Sequence, residues 1–169
     1  MSSEVLPRTS GPGALPGRPL DRRELRALVD DLARRPGTWR QHVAFPEGQR
    51  HYASLYRDEH VDVWLLCWTP QNDTGWHDHD VSSGAVRVVA GSIEENNPRF
   101  GGEPLRTVVT EGQSFSFGPD HIHRLTGVDE ASVSIHAYSP PLNRLGQYSI
   151  DESGVMRRTT VDYTEELRP

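Results

Sequence analysis

The chain has 169 residues, a formal net charge of -6 at pH 7 and a single cysteine. This length supports one domain with a sizeable core, and the acidic balance excludes the basic face of a nucleic-acid-binding domain. One cysteine excludes an internal disulfide, and no apolar run has the length of a membrane span or the character of a signal peptide. We therefore expect a cytoplasmic monomer without nucleic-acid or membrane partners.

The amino-terminal part of the chain predicts an irregular arm followed by one helix. Residues 1–19 are rich in Pro, Gly and Ser, a composition typical of disorder, so a single domain is assigned to residues 20–169. Asp21 followed by Glu24 has the spacing of a capping box, and Pro36 ends the helical pattern. The apolar residues that recur at helical spacing between them are Leu25, Leu28, Val29 and Leu32. This helix is predicted to pack on the body of the domain.

From Arg50 onward the apolar residues follow a period close to two, which predicts β-strands. Turn clusters separate these strands, and the sequence has no internal repeat, helix–strand alternation or Gly-rich phosphate loop. The predicted strands cover 51–58, 61–68, 85–89, 92–95, 105–110, 113–117, 121–125 and 131–139, with a closing hairpin of 147–150 and 155–160. Many short strands and one helical arm indicate an all-β barrel or sandwich.

The segment GWHDHDVSSGAVRVVAG contains two histidines, His77 and His79, separated by one residue. Side chains two apart in a β-strand point to the same side, so both imidazoles face one interior while Asp78 points away. The same pattern also arises by coincidence on exposed strands, and the pair alone does not establish a metal site. A third imidazole comes from His121 or His123, and we favour His123 because it leads directly into the next strand.

Three imidazoles on one interior surface are a ligand set that suits Zn, Cu, Fe or Ni. Three protein ligands leave coordination positions open, as a catalytic metal requires. A structural zinc site normally has a fourth ligand, often Cys, and the lone Cys67 is too little to predict one.

The predicted strand 131–139 places Ser134, His136 and Tyr138 on one face, each two residues from the next. If this face lines the metal cavity, the hydroxyl, imidazole and phenol form a hydrogen-bonded row that reaches a bound ligand. The alternative is the exposed polar face of an edge strand.

These motifs together resemble a known family. GWHDHDVSSGAVRVVAG followed by GQSFSFGPDHIHRL is similar to the two motifs of the cupin barrels, and HDH with HIHRL and SIHAYSPP resembles cysteine dioxygenase over residues 20–150. The resemblance implies a cupin-type double-stranded β-helix, or jelly-roll, barrel with an N-terminal helical arm. It also implies an Fe(II) site whose ligands are His77, His79 and His123.

The resemblance implies further roles in substrate binding and catalysis. Ser134, His136 and Tyr138 match the Ser-His-Tyr relay of the family, and Tyr138 would also contact the substrate or oxygen. Arg57, in the segment LYRD, matches the arginine that binds the substrate carboxylate, and Arg50 is the alternative because the register of this segment is open.

Two positions depart from the wider pattern. General cupins place a Glu after the HxH pair, whereas Ser83 and Gly84 stand there in this chain, so a neutral ligand set is expected. Animal members carry a Cys that cross-links to the relay Tyr, but Gly84 takes its place, so Tyr138 forms no thioether and the chain resembles the bacterial type. Members often have a cis peptide bond at the position matching Ser139 and Pro140.

The implied activity is the oxidation of L-cysteine by O2 to cysteine sulfinate. One alternative is a dioxygenase of another small thiol acid, such as 3-mercaptopropionate, whose members tend to carry Gln where Arg57 stands. A second alternative is a non-enzymatic metal-binding cupin module, which has no need of the row from Ser134 to Tyr138. An oxygenase that uses 2-oxoglutarate is disfavoured, because it needs an HxD pair and HDHD contains none.

Overall fold

The computed structural model describes residues 11–163, with one α-helix and eleven β-strands in that range. Helix α1 spans Arg22–Ala33 and is followed by two single 3-10 turns. The strands are β1 His51–Arg57, β2 Asp62–Trp68, β3 His77–Asp78, β4 Ser83–Ala90, β5 Ser92–Asn97, β6 Leu105–Thr110, β7 Ser114–Phe117, β8 Arg124–Gly127, β9 Ser132–Ser139, β10 Arg144–Ile150 and β11 Met156–Asp162. No helix within residues 11–163 is long and apolar enough to cross a bilayer.

Helix α1 begins as its sequence predicts. The Asp21 carboxylate accepts a hydrogen bond from the Glu24 backbone N–H at 2.8 Å, and the Glu24 carboxylate accepts one from the Asp21 N–H at 2.8 Å. This capping box satisfies two amide donors that have no partner within the helix. The four predicted apolar side chains are all buried. The predicted capping and packing of α1 are therefore confirmed.

The predicted arm lies only partly within the described range, because residues 1–10 fall outside it. Residues 11–19 form no helix or strand but contact α1 and its surroundings. The Gly11 carbonyl accepts a hydrogen bond from Arg35, Leu15 packs against the core under α1, and Arg18 pairs with Glu24 at 2.6 Å.

The strands form three antiparallel sheets. The largest has the order β1-β2-β9-β4-β7, and the two smaller ones have the orders β6-β5-β8 and β11-β10-β3. Strands far apart in sequence, such as β2 and β9, are neighbours in the large sheet. This is the double-stranded β-helix of a cupin with a small helical arm, so the predicted fold class is confirmed.

The large sheet separates two hydrophobic cores. Alternate residues of β2, beginning with Val63 and Leu65, pack under α1, while Trp64, Leu66 and Trp68 face the interior of the barrel. All seven residues of β2 are buried, because both of its faces are covered. Strand β9 follows the same alternation and is also buried along its length. The barrel-facing side of these two central strands supplies one wall of the site described below.

Strand β1 contains an irregularity that its sequence does not reveal. The pairing with β2 shifts between Ser54 and Tyr56, so Leu55 is an extra residue on this strand. A β-bulge of this kind reverses the in–out alternation beyond it. Ala53 and Leu55 both pack against the core under α1 and do not face the barrel interior.

Candidate metal centre

Three imidazoles meet in the barrel interior. Ring centroids are 4.8 Å apart for His77 and His79, 4.6 Å for His77 and His123, and 5.0 Å for His79 and His123. One nitrogen from each ring lies within 4.8 Å of the others, and all three residues are buried. The backbones of His77 and His123 also exchange two hydrogen bonds, at 2.9 and 3.0 Å, which hold the third ring beside the HxH pair.

The tautomers of two of these rings follow from their partners. Nδ1 of His77 lies 3.0 Å from the Gly75 carbonyl, and Nδ1 of His123 lies 2.7 Å from a Glu95 carboxylate oxygen. Both partners only accept hydrogen bonds, so each Nδ1 carries the hydrogen and each Nε2 presents a lone pair. The two Nε2 atoms face each other at 3.1 Å. Two lone pairs at this distance repel unless a Lewis acid lies between them, so the residues fit a metal ion.

Burial keeps two of the three clustered imidazoles, His79 and His123, neutral. Burial lowers the pKa of His79 well below its usual range, and the neighbouring imidazoles lower it further. Burial also lowers the pKa of His123 to about 3, although the hydrogen bond to Glu95 opposes this change. A metal binds the neutral imidazole, so protons do not compete for these rings near pH 7. Within residues 11–163 the Nδ1 atom of His79 has no hydrogen-bond partner.

Strand β3 is held in place by the residue between its histidines. Asp78 points away from the rings, as predicted, and is buried. Its carboxylate accepts hydrogen bonds from the Arg158 guanidinium at 2.8 and 2.9 Å, from the Gly146 N–H at 3.0 Å and from the Tyr148 hydroxyl. These contacts fasten the HxH segment to the hairpin of β10 and β11.

The predicted row on β9 lies inside the barrel. The Ser134 hydroxyl is 2.7 Å from Nε2 of His136, and Nδ1 of His136 is 3.2 Å from the Tyr138 hydroxyl. Ser134 and His136 are almost fully buried and Tyr138 is buried, because β9 lies between β2 and β4. The row is therefore no exposed edge of a sheet.

A fourth residue, Trp68, sets the direction of this row. Its indole N–H donates to the Ser134 hydroxyl at 2.8 Å, so that hydroxyl uses its own hydrogen to donate to Nε2 of His136. Burial, followed by the neighbouring imidazoles, lowers the pKa of His136 to about 3, so the ring is neutral and its hydrogen is on Nδ1. That N–H donates to the oxygen of Tyr138, and the phenol directs its own hydrogen to a different acceptor.

Two of the clustered histidines and two residues of the β9 row line one cavity. Its lining includes His77, His79, His136, Tyr138 and Arg50, with Leu66, Trp68, Thr74, Leu125, Leu142 and Leu145 completing the wall. The cavity measures about 30 Å³, room for roughly two water molecules. Arg50 also lines a wider surface cleft of about 710 Å³.

The two arginines considered from sequence have different surroundings. Arg57 contacts the buried carboxylate of Asp62 at 2.7 Å and the Asn143 side-chain oxygen at 3.0 Å. Its guanidinium also lies 5.3 Å from the ring centre of Tyr163. Arg50, in contrast, lines the cavity with the histidines. Arg50 therefore lies at the candidate site, and Arg57 is paired with Asp62.

The position of the animal cross-linking Cys is filled differently here. Gly84 lies opposite Tyr138 in the pairing of β4 with β9. A Cβ atom at Gly84 would lie 2.4 Å from the Phe117 ring and 3.1 Å from the Tyr138 ring, so Phe117 occupies that space. Cys67 belongs to the core under α1 and not to the barrel interior. Ser139–Pro140 is a cis peptide bond, as the resemblance implies.

Two residues of the site were missed from sequence. Glu95 lies within EENNP, which has no local motif, and it reaches His123 only through the pairing of β5 with β8. Trp68 belongs to no motif, although period two puts it on the same face as Trp64 and Leu66. A residue that acts across two strands leaves no signal at fixed spacing along the chain.

Solved structures with a similar fold come from several bacteria. An uncharacterized protein with a double-stranded β-helix domain from Klebsiella pneumoniae has a TM-score of 0.52 at 12% identity, covering 71% of this chain and 92% of that one. A cupin superfamily protein from Desulfitobacterium hafniense has a TM-score of 0.51 at 9% identity, with coverages of 59% and 84%. A protein from Thermus thermophilus has a TM-score of 0.52 at 10% identity, with coverages of 60% and 92%. At these identities the similarity shows the fold alone.

The family is shown by sequence. The model of the cysteine dioxygenase type I family matches residues 16–151, a range that contains the three clustered histidines and the β9 row. The matched range also includes α1 and most of the barrel. The chain therefore belongs to the cysteine dioxygenase type I family.

Proposed function

We propose that this protein is an iron-dependent thiol dioxygenase that oxidises L-cysteine to cysteine sulfinate. The observation that carries this proposal is a single cavity lined by two of the three clustered imidazoles, by His136 and Tyr138 of the directed row, and by Arg50. In the reaction one O2 molecule is consumed, both of its atoms form bonds to the sulfur of cysteine, and the thiol proton is lost to solvent at neutral pH. The non-enzymatic cupin alternative leaves the buried row from Trp68 to Tyr138 without a role.

The proposed iron would be held by His77, His79 and His123, and it would supply a Lewis acid that binds thiolate and O2 together. Neutral ligands would leave such an ion its full positive charge, which would favour the thiolate form of the substrate. The apolar wall of Leu66, Leu125 and its neighbours excludes water from the reacting atoms. Tyr138 orients the reacting group through a hydrogen bond from its hydroxyl.

Replacing Tyr138 by Phe is expected to lower kcat by about 100-fold, since a positioned hydrogen-bond or proton donor contributes at least this factor. Iron content is expected to stay at one per chain, because the phenol is not a ligand. Trp68→Phe removes the donor that directs the row, and we expect a smaller fall in kcat with the same iron content. Steady-state oxygen uptake together with iron analysis measures both. Full activity in Tyr138→Phe would show that the row has no part in the reaction.

Arg50 is the proposed partner of the substrate carboxylate, because it lines both the cavity and the outer cleft. Arg50→Ala is expected to raise KM for cysteine by about 30-fold, which corresponds to the lower end of the cost of losing one partner of a buried charge pair. Cysteamine has no carboxylate, so its KM is expected to be high in the parent and to change little in Arg50→Ala.

Arg57→Ala is the matched control for this experiment. Its loss leaves the fully buried Asp62 without its cation, so the free energy of unfolding is expected to fall by about 1–3 kcal/mol. The ratio of KM values for cysteine and cysteamine is expected to stay as in the parent. If Arg57→Ala changes that ratio and Arg50→Ala does not, the assignment of the carboxylate to Arg50 is wrong.

The positions of Arg50 and Arg57 also favour the alternative substrate, 3-mercaptopropionate, more than the sequence does. The sequence argument against it rested on Arg57, which pairs with Asp62. Arg50 offers its guanidinium equally to the carboxylate of either thiol acid. The two substrates differ by the amine of cysteine, so a higher kcat/KM for cysteine than for 3-mercaptopropionate is the result that supports cysteine.

A further inference from the structure

A carboxylate lies directly behind one of the proposed ligands. Oε2 of Glu95 is 2.7 Å from Nδ1 of His123 and 3.0 Å from Nε2 of His121. Glu95 is 8% exposed and His123 is 1% exposed, so water does not compete effectively for this contact. Glu95 lies on β5, the central strand of the sheet β6-β5-β8, and both neighbouring strands hold its backbone.

The proposed ligand set itself contains no negative charge. The two positions where general cupins have a Glu ligand hold Ser83 and Gly84 here. A doubly charged cation among neutral ligands in a buried cavity is costly unless an anion lies nearby. Among the described acidic residues, Glu95 is the one whose carboxylate contacts a clustered ring.

We propose that Glu95 is a positioning and charge-balancing residue for the metal centre, acting through His123, and that His121 holds its carboxylate in place. The proposal rests on the proposed function, since it requires a metal at His77, His79 and His123. The carboxylate accepts a hydrogen bond from the Nδ1–H group of His123. This contact turns the Nε2 lone pair of His123 towards the metal and makes Nε2 a stronger electron-pair donor. Its negative charge lies one imidazole away from the ion.

A competing arrangement uses the same atoms. Glu95, His121 and His123 offer ligand atoms within 4.8 Å of one another, so they could hold a second metal. His123 would then have to lose its Nδ1 hydrogen and bridge two ions. The close contacts at 2.7 and 3.0 Å favour hydrogen bonds over a second site, because both follow from N–H groups that point at one carboxylate oxygen.

The test compares Glu95→Gln with the parent in iron affinity and in the Fe(III)/Fe(II) midpoint potential. Gln has the shape of Glu and keeps an acceptor for His123 but removes the charge. We expect one iron per chain at saturation, an affinity for Fe(II) that is lower by about 10–100-fold, and a more positive potential. Glu94→Gln is the control, because Glu94 pairs with Arg106 at the surface and should change neither quantity.

The outcomes separate this inference from the proposed function. A parent chain that binds no iron contradicts the proposed function itself. A parent that binds one iron, with equal affinity and potential in Glu95→Gln, overturns only the role of Glu95. A second iron that the parent holds and Glu95→Gln loses also overturns it, since Glu95 would then be a ligand.

A second variant covers the case in which Glu95→Gln does not fold. His121→Ala removes the other donor to Oε2, so the carboxylate interacts with His123 alone and the midpoint potential is expected to become more negative. An unchanged potential in His121→Ala would contradict the proposed coupling between the carboxylate and the metal.

Discussion

Replacing His123 by Ala is expected to abolish iron binding and thiol oxidation. The ring supplies one of three clustered nitrogens and is fixed by its backbone bonds to His77 and by Glu95. Substitutions that only disturb the orientation of a ligand cost about 10–100-fold in metal affinity or activity, so loss of the ligand should exceed 100-fold. Iron content after reconstitution and oxygen uptake with cysteine measure the two effects.

The control for this prediction is His121, the alternative third ligand in the sequence analysis. His121 is partly exposed, its ring stacks on Phe117, and its Nε2 points to Glu95. His121→Ala is therefore expected to bind one iron per chain at saturating iron. If His121→Ala loses its iron and His123→Ala keeps it, the assigned ligand set is wrong.

Replacing Asp78 by Ala is expected to lower the free energy of unfolding by about 2–3 kcal/mol. Breaking a buried ion pair costs about 3–5 kcal/mol, and the partial exposure of Arg158 reduces this value. The substitution also leaves the Tyr148 hydroxyl and the buried Gly146 N–H without their acceptor. Because the two-residue strand β3 is held largely by these contacts, iron affinity should fall as well. Urea unfolding of the metal-depleted protein measures the stability change.

Asp80 provides the comparison for this second prediction. Its carboxylate contacts the same Arg158 at 3.3 Å but is far more exposed to solvent than that of Asp78. Asp80→Asn removes this charge and keeps a residue type that tolerates the positive φ of 56° at this position, so it is expected to change the free energy of unfolding by less than about 0.5 kcal/mol. Equal unfolding midpoints for the parent and Asp78→Ala would show that Asp78 does not anchor the HxH segment.

Local patterns in the sequence predicted the parts of the fold that depend on local geometry. The capping box of α1 needs only Asp21 and Glu24, which lie three residues apart. The alternation of a strand places His77 and His79 side by side with Asp78 opposite, as the structure has them. Choosing His123 over His121 required one further argument, which is that His123 leads directly into the next strand.

The features that the sequence did not predict depend on pairing across strands. The bulge at Leu55 reverses the alternation of β1, and no residue in ASLYR signals it. Arg57 matches the substrate-binding arginine of the family only by resemblance, with the register of the segment open, whereas the fold pairs Arg57 with Asp62. Glu95 and Arg158 approach His123 and Asp78 from strands that are distant in sequence. Such contacts become visible only when the register of the sheets is known.

Isotope labelling of the product tests the central claim most directly. The protein is loaded with one equivalent of Fe(II), supplied with L-cysteine under ¹⁸O2, and the product is analysed by mass spectrometry. The proposed dioxygenase reaction predicts cysteine sulfinate in which both sulfinate oxygens carry the label. Iron-loaded protein that consumes no oxygen, or that yields only cystine and reduced oxygen, would contradict the assignment of this cavity to thiol dioxygenation.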